Sequence, residues 1–148
     1  MCGDCNTHLG YIVYDCMCLM LGATDMREKM SNADARVLAA AAEPALMSVK
    51  RQVLTIADEE SDKSEIATAA FKIASSIYSS GCLAEVYKIW IASLPTKYAI
   101  KYTAKGFKTL LAAFCTDGAA TLGVIMVELA TFPQLVEDSI DCKASCYA

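Results

Sequence analysis

Residues 106–132 read GFKTLLAAFCTDGAATLGVIMVELATF. Between Lys108 and Glu128 the only formal charge is Asp117, beside Gly118. Two readings fit so apolar a stretch: the buried centre of a helical domain, or a hairpin that enters a bilayer. A single membrane-spanning helix needs about 20 apolar residues. Asp117 would then sit mid-bilayer at a cost of roughly 3 kcal/mol. A hairpin turning at Thr116-Asp117-Gly118 has arms of about a dozen residues, too short to cross singly. The expectation is therefore two apolar helices, Phe107 to Thr116 and Ala119 to Thr131, forming a central hairpin in the core or inserting shallowly.

The flanking sequence gives more helices and little sign of strands. Upstream of the hairpin, Thr96 is placed to cap a helix running to Lys105, with Gly106 as its break. Leu83, Val86, Tyr87, Trp90, Ile91 and Leu94 recur at helical spacing and stop at Pro95, because the residue before a proline resists the α region. Ile66, Ala69, Ala70, Ile73, Ile77 and Tyr78 stripe a helix over 63–79. Asp62 and Glu65 approximate its capping box, and Gly81 closes it. A further helical pattern spans 33–57 and contains Pro44, which predicts a kink or a division into two. Leu9 to Leu21 is apolar on nearly every face, so periodicity alone does not separate helix from strand; its thirteen residues favour helix. Residues 1–8 read as an extended, cysteine-bearing start. Pro133 opens a last short helix to Ile140. The expected architecture is all-α: a single-domain bundle of six to eight helices over residues 1–148, with the 107–131 pair at its centre.

Length and composition agree. A chain of 148 residues buries roughly two-thirds of its unfolded surface, enough for a hydrophobic core. The hydrophobic share is 55% and the charged share 20%, more apolar than usual for a soluble domain. That excess points to a well-buried bundle, an apolar cavity, or a face that meets lipid or protein. A net charge of -4 gives no general attraction to nucleic acid, so no nucleic-acid partner is expected.

Eight cysteines are present: Cys2, Cys5, Cys16, Cys18, Cys82, Cys115, Cys142 and Cys146. An even, high count points to disulfides and an oxidising compartment. Four lie near one end of the sequence and two near the other, so bridges between them would tie the ends; Cys82 and Cys115 remain as an inner pair. Bridges closing such long loops stabilise by about 4 kcal/mol each in the chain-entropy account. The rival reading is a set of buried, reduced thiols. Met1 is followed by CGDCNTH, which lacks the basic start of a signal peptide. A secreted protein would then be given in its mature form with an added Met.

Chemistry-bearing patterns are sparse. Cys2-x2-Cys5-x2-His8, completed by Cys16 or Cys18, has zinc-type ligands, but a strong zinc pattern has two well-spaced pairs. His8, the only histidine, reads more simply as a solvated side chain. Cys2-x2-Cys5 as a redox pair wants a βαβ setting that this sequence lacks. No HExxH, GxSxG, phosphate-binding loop or dinucleotide fingerprint occurs. No metal, cofactor or catalytic residue is expected.

Lys97, Lys101, Lys105 and Lys108 are the most specific pattern. At 100° per residue they form one basic stripe if a helix persists through Gly106. Tyr98, Tyr102 and Phe107 interleave with them, and Trp90 lies just upstream. Basic residues with aromatics beside an apolar segment describe an interfacial helix. The plainer alternative sets the tyrosines on the core and the lysines in water. The expectation is a secreted, non-enzymatic helical protein that acts on anionic membranes or lipid, or binds an apolar ligand, in the manner of a toxin, antimicrobial protein or carrier. The alternative is an interaction module or effector that buries its apolar surface in a protein partner or a homo-oligomer.

Overall fold

The computed structural model describes residues 4–23, 30–102, 104–115, 118–140 and 146. Among them there are helices and no strands. In chain order the helices are α1 (Cys5–Leu21), α2 (Asn32–Ala41), α3 (Leu46–Ala57), α4 (Lys63–Ser79), α5 (Leu83–Ala92), α6 (Thr96–Tyr102), α7 (Ala104–Cys115), α8 (Gly118–Leu129) and α9 (Gln134–Ile140). A 3-10 turn, Glu43–Ala45, separates α2 from α3. The division falls at Pro44, which lacks the N–H a continuous helix needs.

The bundle is built on α1. Leu9, Ile12, Val13, Met17 and Leu19 are each 3% exposed or less, and each such side chain contributes roughly 1.5–3 kcal/mol by leaving water. Against α1 pack α2, α4, α8 and α9. The expected centre, the 107–131 pair, is more peripheral among its described side chains: Leu110 and Ile125 are buried, while Val124 and Val127 are 53% and 72% exposed. Gly, Ala and Thr fill much of that stretch, and small side chains give it less apolar area to bury. No helix among the described residues is long and apolar enough to cross a membrane.

The start of α1 corrects the expectation of an extended segment. Asp4 is its N-cap: one carboxylate oxygen accepts from the Thr7 N–H at 2.8 Å and the other from the Thr7 hydroxyl at 3.0 Å. The cap satisfies a first-turn donor that would otherwise be left open. Arg36 reaches back from α2 to the same carboxylate at 3.0 Å. The Thr7 backbone bond, with Arg36 in support, holds the Asp4 carboxyl below its ordinary range against a smaller desolvation effect. At the other end Gly22, at φ 65°, turns the chain out of the helix, and the Ala23 N–H bonds to the Cys18 carbonyl at 2.8 Å. This six-to-one bond in a left-handed turn is a glycine-dependent stop.

α1 and α2 touch at backbone distance. A Cβ on Gly10 would lie 1.9 Å from the carbonyl oxygen of Ala35, so only glycine fits at that crossing. His8, one turn from the helix start, is 6% exposed, and its Nε2–H donates to the Asp138 carbonyl of α9. It is therefore a packed side chain rather than a solvated one.

Cys5 and Cys146 stand at disulfide distance with Cα atoms 5.4 Å apart, across a sequence separation of 141. The inner pairing of Cys82 with Cys115 is not made: Cys82 is an unbridged thiol whose Sγ–H donates to the Ile77 carbonyl at 3.4 Å. Cys16 is also unbridged, and both it and Cys18 are buried in the middle of α1. Burial pushes the Cys16 thiol well above its ordinary range, and the neighbouring Asp15 carboxylate adds to the effect. Cys2, Cys142 and the Cys115 side chain lie outside the described residues.

Candidate functional site

The lysine pattern falls on two helices. Lys97 and Lys101 belong to α6, and Lys105 and Lys108 to α7. Residue 103 between them lies outside the described residues, and Gly106, the expected break, lies inside α7. Gly106 is needed for packing instead: a Cβ there would come 2.7 Å from the Tyr87 hydroxyl and 3.2 Å from the Tyr102 ring. The missing side chain leaves room for the Tyr87 ring of α5, whose hydroxyl bonds to the Phe107 backbone. Desolvation there raises the Tyr87 phenol above its ordinary range, partly offset by that backbone bond.

The aromatics hold this unit together from inside. Tyr87 lies 5.7 Å from Trp90 and 5.1 Å from Phe107 between ring centroids, and Trp90 meets Tyr102 edge-on at 5.9 Å. Such tilted pairs contribute roughly 0.5–1.5 kcal/mol each beyond their buried area. Trp90 is wholly buried and Tyr102 is 8% exposed. Of the aromatics expected to contact a membrane, these two are therefore turned into the core. Tyr98 and Phe107 are half-buried at its edge.

The lysines face out. All four are exposed, and none pairs with a carboxylate among the described residues. The Lys97 ammonium lies 4.8 Å from the centre of the Tyr98 ring, and that of Lys101 lies 5.4 Å from Tyr102. These contacts, about 0.5–1 kcal/mol each at exposed sites, tie the lysine stems to the aromatic layer and leave the charge in water. Ile100, just before Lys101 on α6, is 72% exposed. This β-branched apolar side chain was not singled out in the sequence. The same 100° arithmetic that aligns 97 with 101 places 100 about 60° to one side of Lys97, at the edge of the basic stripe, and attention to charge alone passes over it.

The metal and redox patterns are dispersed. Cys5 sits against Cys146, His8 is bonded to Asp138, Cys16 and Cys18 are buried in the core, and Cys2 lies outside the described residues. Among the described residues no group of three His, Cys, Asp or Glu side chains is arranged to hold a metal ion. Asp15, wholly buried in the central helix, is the least expected polar group, and sequence marked it only as an interruption of the apolar run.

Comparison with protein-family models, curated proteins and solved structures finds no match to this chain.

Proposed function

We propose that the protein is a secreted, non-enzymatic membrane-surface binder that meets anionic lipid through α6 and α7. The observation that carries this reading is Ile100, exposed at 72% at the edge of a stripe of four exposed lysines that have no carboxylate partner among the described residues. That combination suits an interface in which an apolar side chain dips below headgroups held by cations. Each lysine near an anionic leaflet contributes about 1 kcal/mol, and burial of Ile100 roughly 2 kcal/mol more. A total of about 6 kcal/mol corresponds to binding between millimolar and micromolar, weakening as salt rises.

The disulfide part of the reading rests on Cys5 and Cys146. We take that pair as a closed bridge, which suits an oxidising compartment. The unbridged Cys16 and Cys82 fit beside it, because burial keeps their thiols protonated and out of exchange. The carrier version has less support: the two clefts along α3 and α4 are lined mostly by serine, threonine, glutamine and charged side chains. A second reading, a protein partner or second copy, is favoured by the exposed Val124 and Val127 of α8.

The test is co-sedimentation with vesicles of phosphatidylcholine, alone or mixed with phosphatidylserine. Binding is expected only to the mixed vesicles, lost with Lys101→Glu plus Lys105→Glu and weakened about tenfold or more by Ile100→Ser. Equal sedimentation with both vesicle types, or indifference to the lysine changes, would remove the proposal.

A further inference from the structure

A second surface, away from the lysines, carries an arrangement that membrane binding does not use. α3 and α4 pack against each other, and two clefts lie along their seam. One, of about 380 Å³, is lined by Ser48 and Gln52 of α3 and by Lys72, Ser75 and Tyr78 of α4. The other, of about 270 Å³, takes in Thr55, Ser64 and Thr68. Both include Gln52 and Lys72, so they are two parts of one groove. From Ser64 to Ser79 it follows α4 for roughly 22 Å at 1.5 Å per residue.

The groove follows from helical spacing. Positions 48, 52 and 55 share a face of α3, and 64, 68, 72, 75 and 79 share a face of α4. Apolar residues on these lines would close the seam. Serine, threonine and glutamine keep it open and line it with neutral donors and acceptors.

Several of those polar ends are not used by the fold. Gln52, Thr68 and Ser75 are half-buried and Ser64 is exposed, and none of the four makes a side-chain hydrogen bond among the described residues. Ser76, by contrast, donates to the Lys72 carbonyl at 2.7 Å and so accepts from Ser48 at 2.6 Å. That pair fixes the groove wall. Charge is sparse: among the described residues Lys72 is the only cation lining the two clefts, and Glu65 is already bonded to the Asp62 N–H in the capping box. At one end the Tyr78 ring is 38% exposed, with Phe71 half-buried beside it.

The geometry points to an extended, uncharged polyhydroxylated ligand, an oligosaccharide, lying in the α3–α4 groove. One sugar ring stacks on Tyr78, and hydroxyls further along bond to Gln52, Ser75 and Thr68. A strongly anionic ligand would find one lysine. An apolar ligand would leave the row of hydroxyls unpaired, at a cost of about 1–3 kcal/mol for each one desolvated.

The experiment is amide chemical-shift titration of the isotopically labelled protein with cellohexaose, maltohexaose and chitohexaose at millimolar concentration. At least one of them is expected to move the amides of 48–55 and 64–79 in a saturable way. Tyr78→Ala and Gln52→Ala, both outside the packed core, should each weaken that binding about tenfold while leaving the remaining spectrum, and hence the fold, unchanged. Three sugars that leave both segments unmoved would overturn the inference. So would shifts that survive both substitutions together. Inorganic phosphate moving the same amides when the sugars do not would replace it with a small anion site at Lys72. Vesicle binding through α6 and α7 is read separately, so the two surfaces stand or fall independently.

Discussion

Single residues decide two of the closest approaches in this protein, and both are glycines, one of which pattern reading takes for a helix break. Gly106 reads as a helix break because glycine lowers helix propensity by about 1 kcal/mol. Its role is instead to admit the Tyr87 hydroxyl. Gly106→Ala should therefore destabilise by about 1–3 kcal/mol, the usual cost of forcing a methyl into a filled contact, even though alanine is the better helix former. A denaturation midpoint reads the loss. The fluorescence of Trp90, the sole tryptophan, should shift to the red as its shell of Tyr87 and Tyr102 loosens. An unchanged midpoint and spectrum would mean that α7 is not seated on Tyr87. Ile100 shows the other side of legibility at this scale: its position at the edge of the lysine stripe was computable, whereas Gly10 meeting the Ala35 backbone was not. No local pattern encodes which other helix will cross at a given glycine.

Among the helices, those with a polar face were readable and those without one were not. α4 has its stripe, its capping box and its terminal glycine, and it spans the expected residues. The division at Pro44 followed from a missing N–H. For α1 and α8 the moment that orients a helix is weak, because apolar residues occur all round. Sequence then gives composition without direction, and among the described side chains the most deeply buried apolar helix is α1 rather than the 107–131 pair. The deciding difference is side-chain size: α1 fills the core with Ile, Met, Leu and Tyr, while α8 has Gly, Ala and Thr among its larger residues. What remains outside on α8 is testable. Val124 and Val127 share an exposed face, and if that face seats a second copy, light scattering should report a dimer at high concentration that Val127→Lys abolishes. A strict monomer at every concentration would leave the face without that role.

For the molecule as a whole, one contiguous set of buried side chains runs from α1 to α9, and this is where the high apolar share goes. The acidic net charge conceals a local cationic face, so bulk charge gave little guidance to the site. Cysteine count was a partial guide: a pair between the two ends, Cys5 and Cys146, does stand at disulfide distance, while the expected partnering of Cys82 is not made, because count and spacing carry no information about which thiols the core will enclose. The tie itself changes what the chain is. With Cys5 and Cys146 joined, the backbone between them is a ring, and one cut opens a ring without dividing it. Cleavage by a glutamate-specific protease at Glu59 or Glu60, in the exposed link before α4, should leave a single band on a denaturing gel without reductant and two bands with it. With Cys2 and Cys5 both replaced by serine the two pieces should part at once. Pieces that separate from the unaltered protein without reductant would show the ring to be open. A closed ring outlasts its first proteolytic wound.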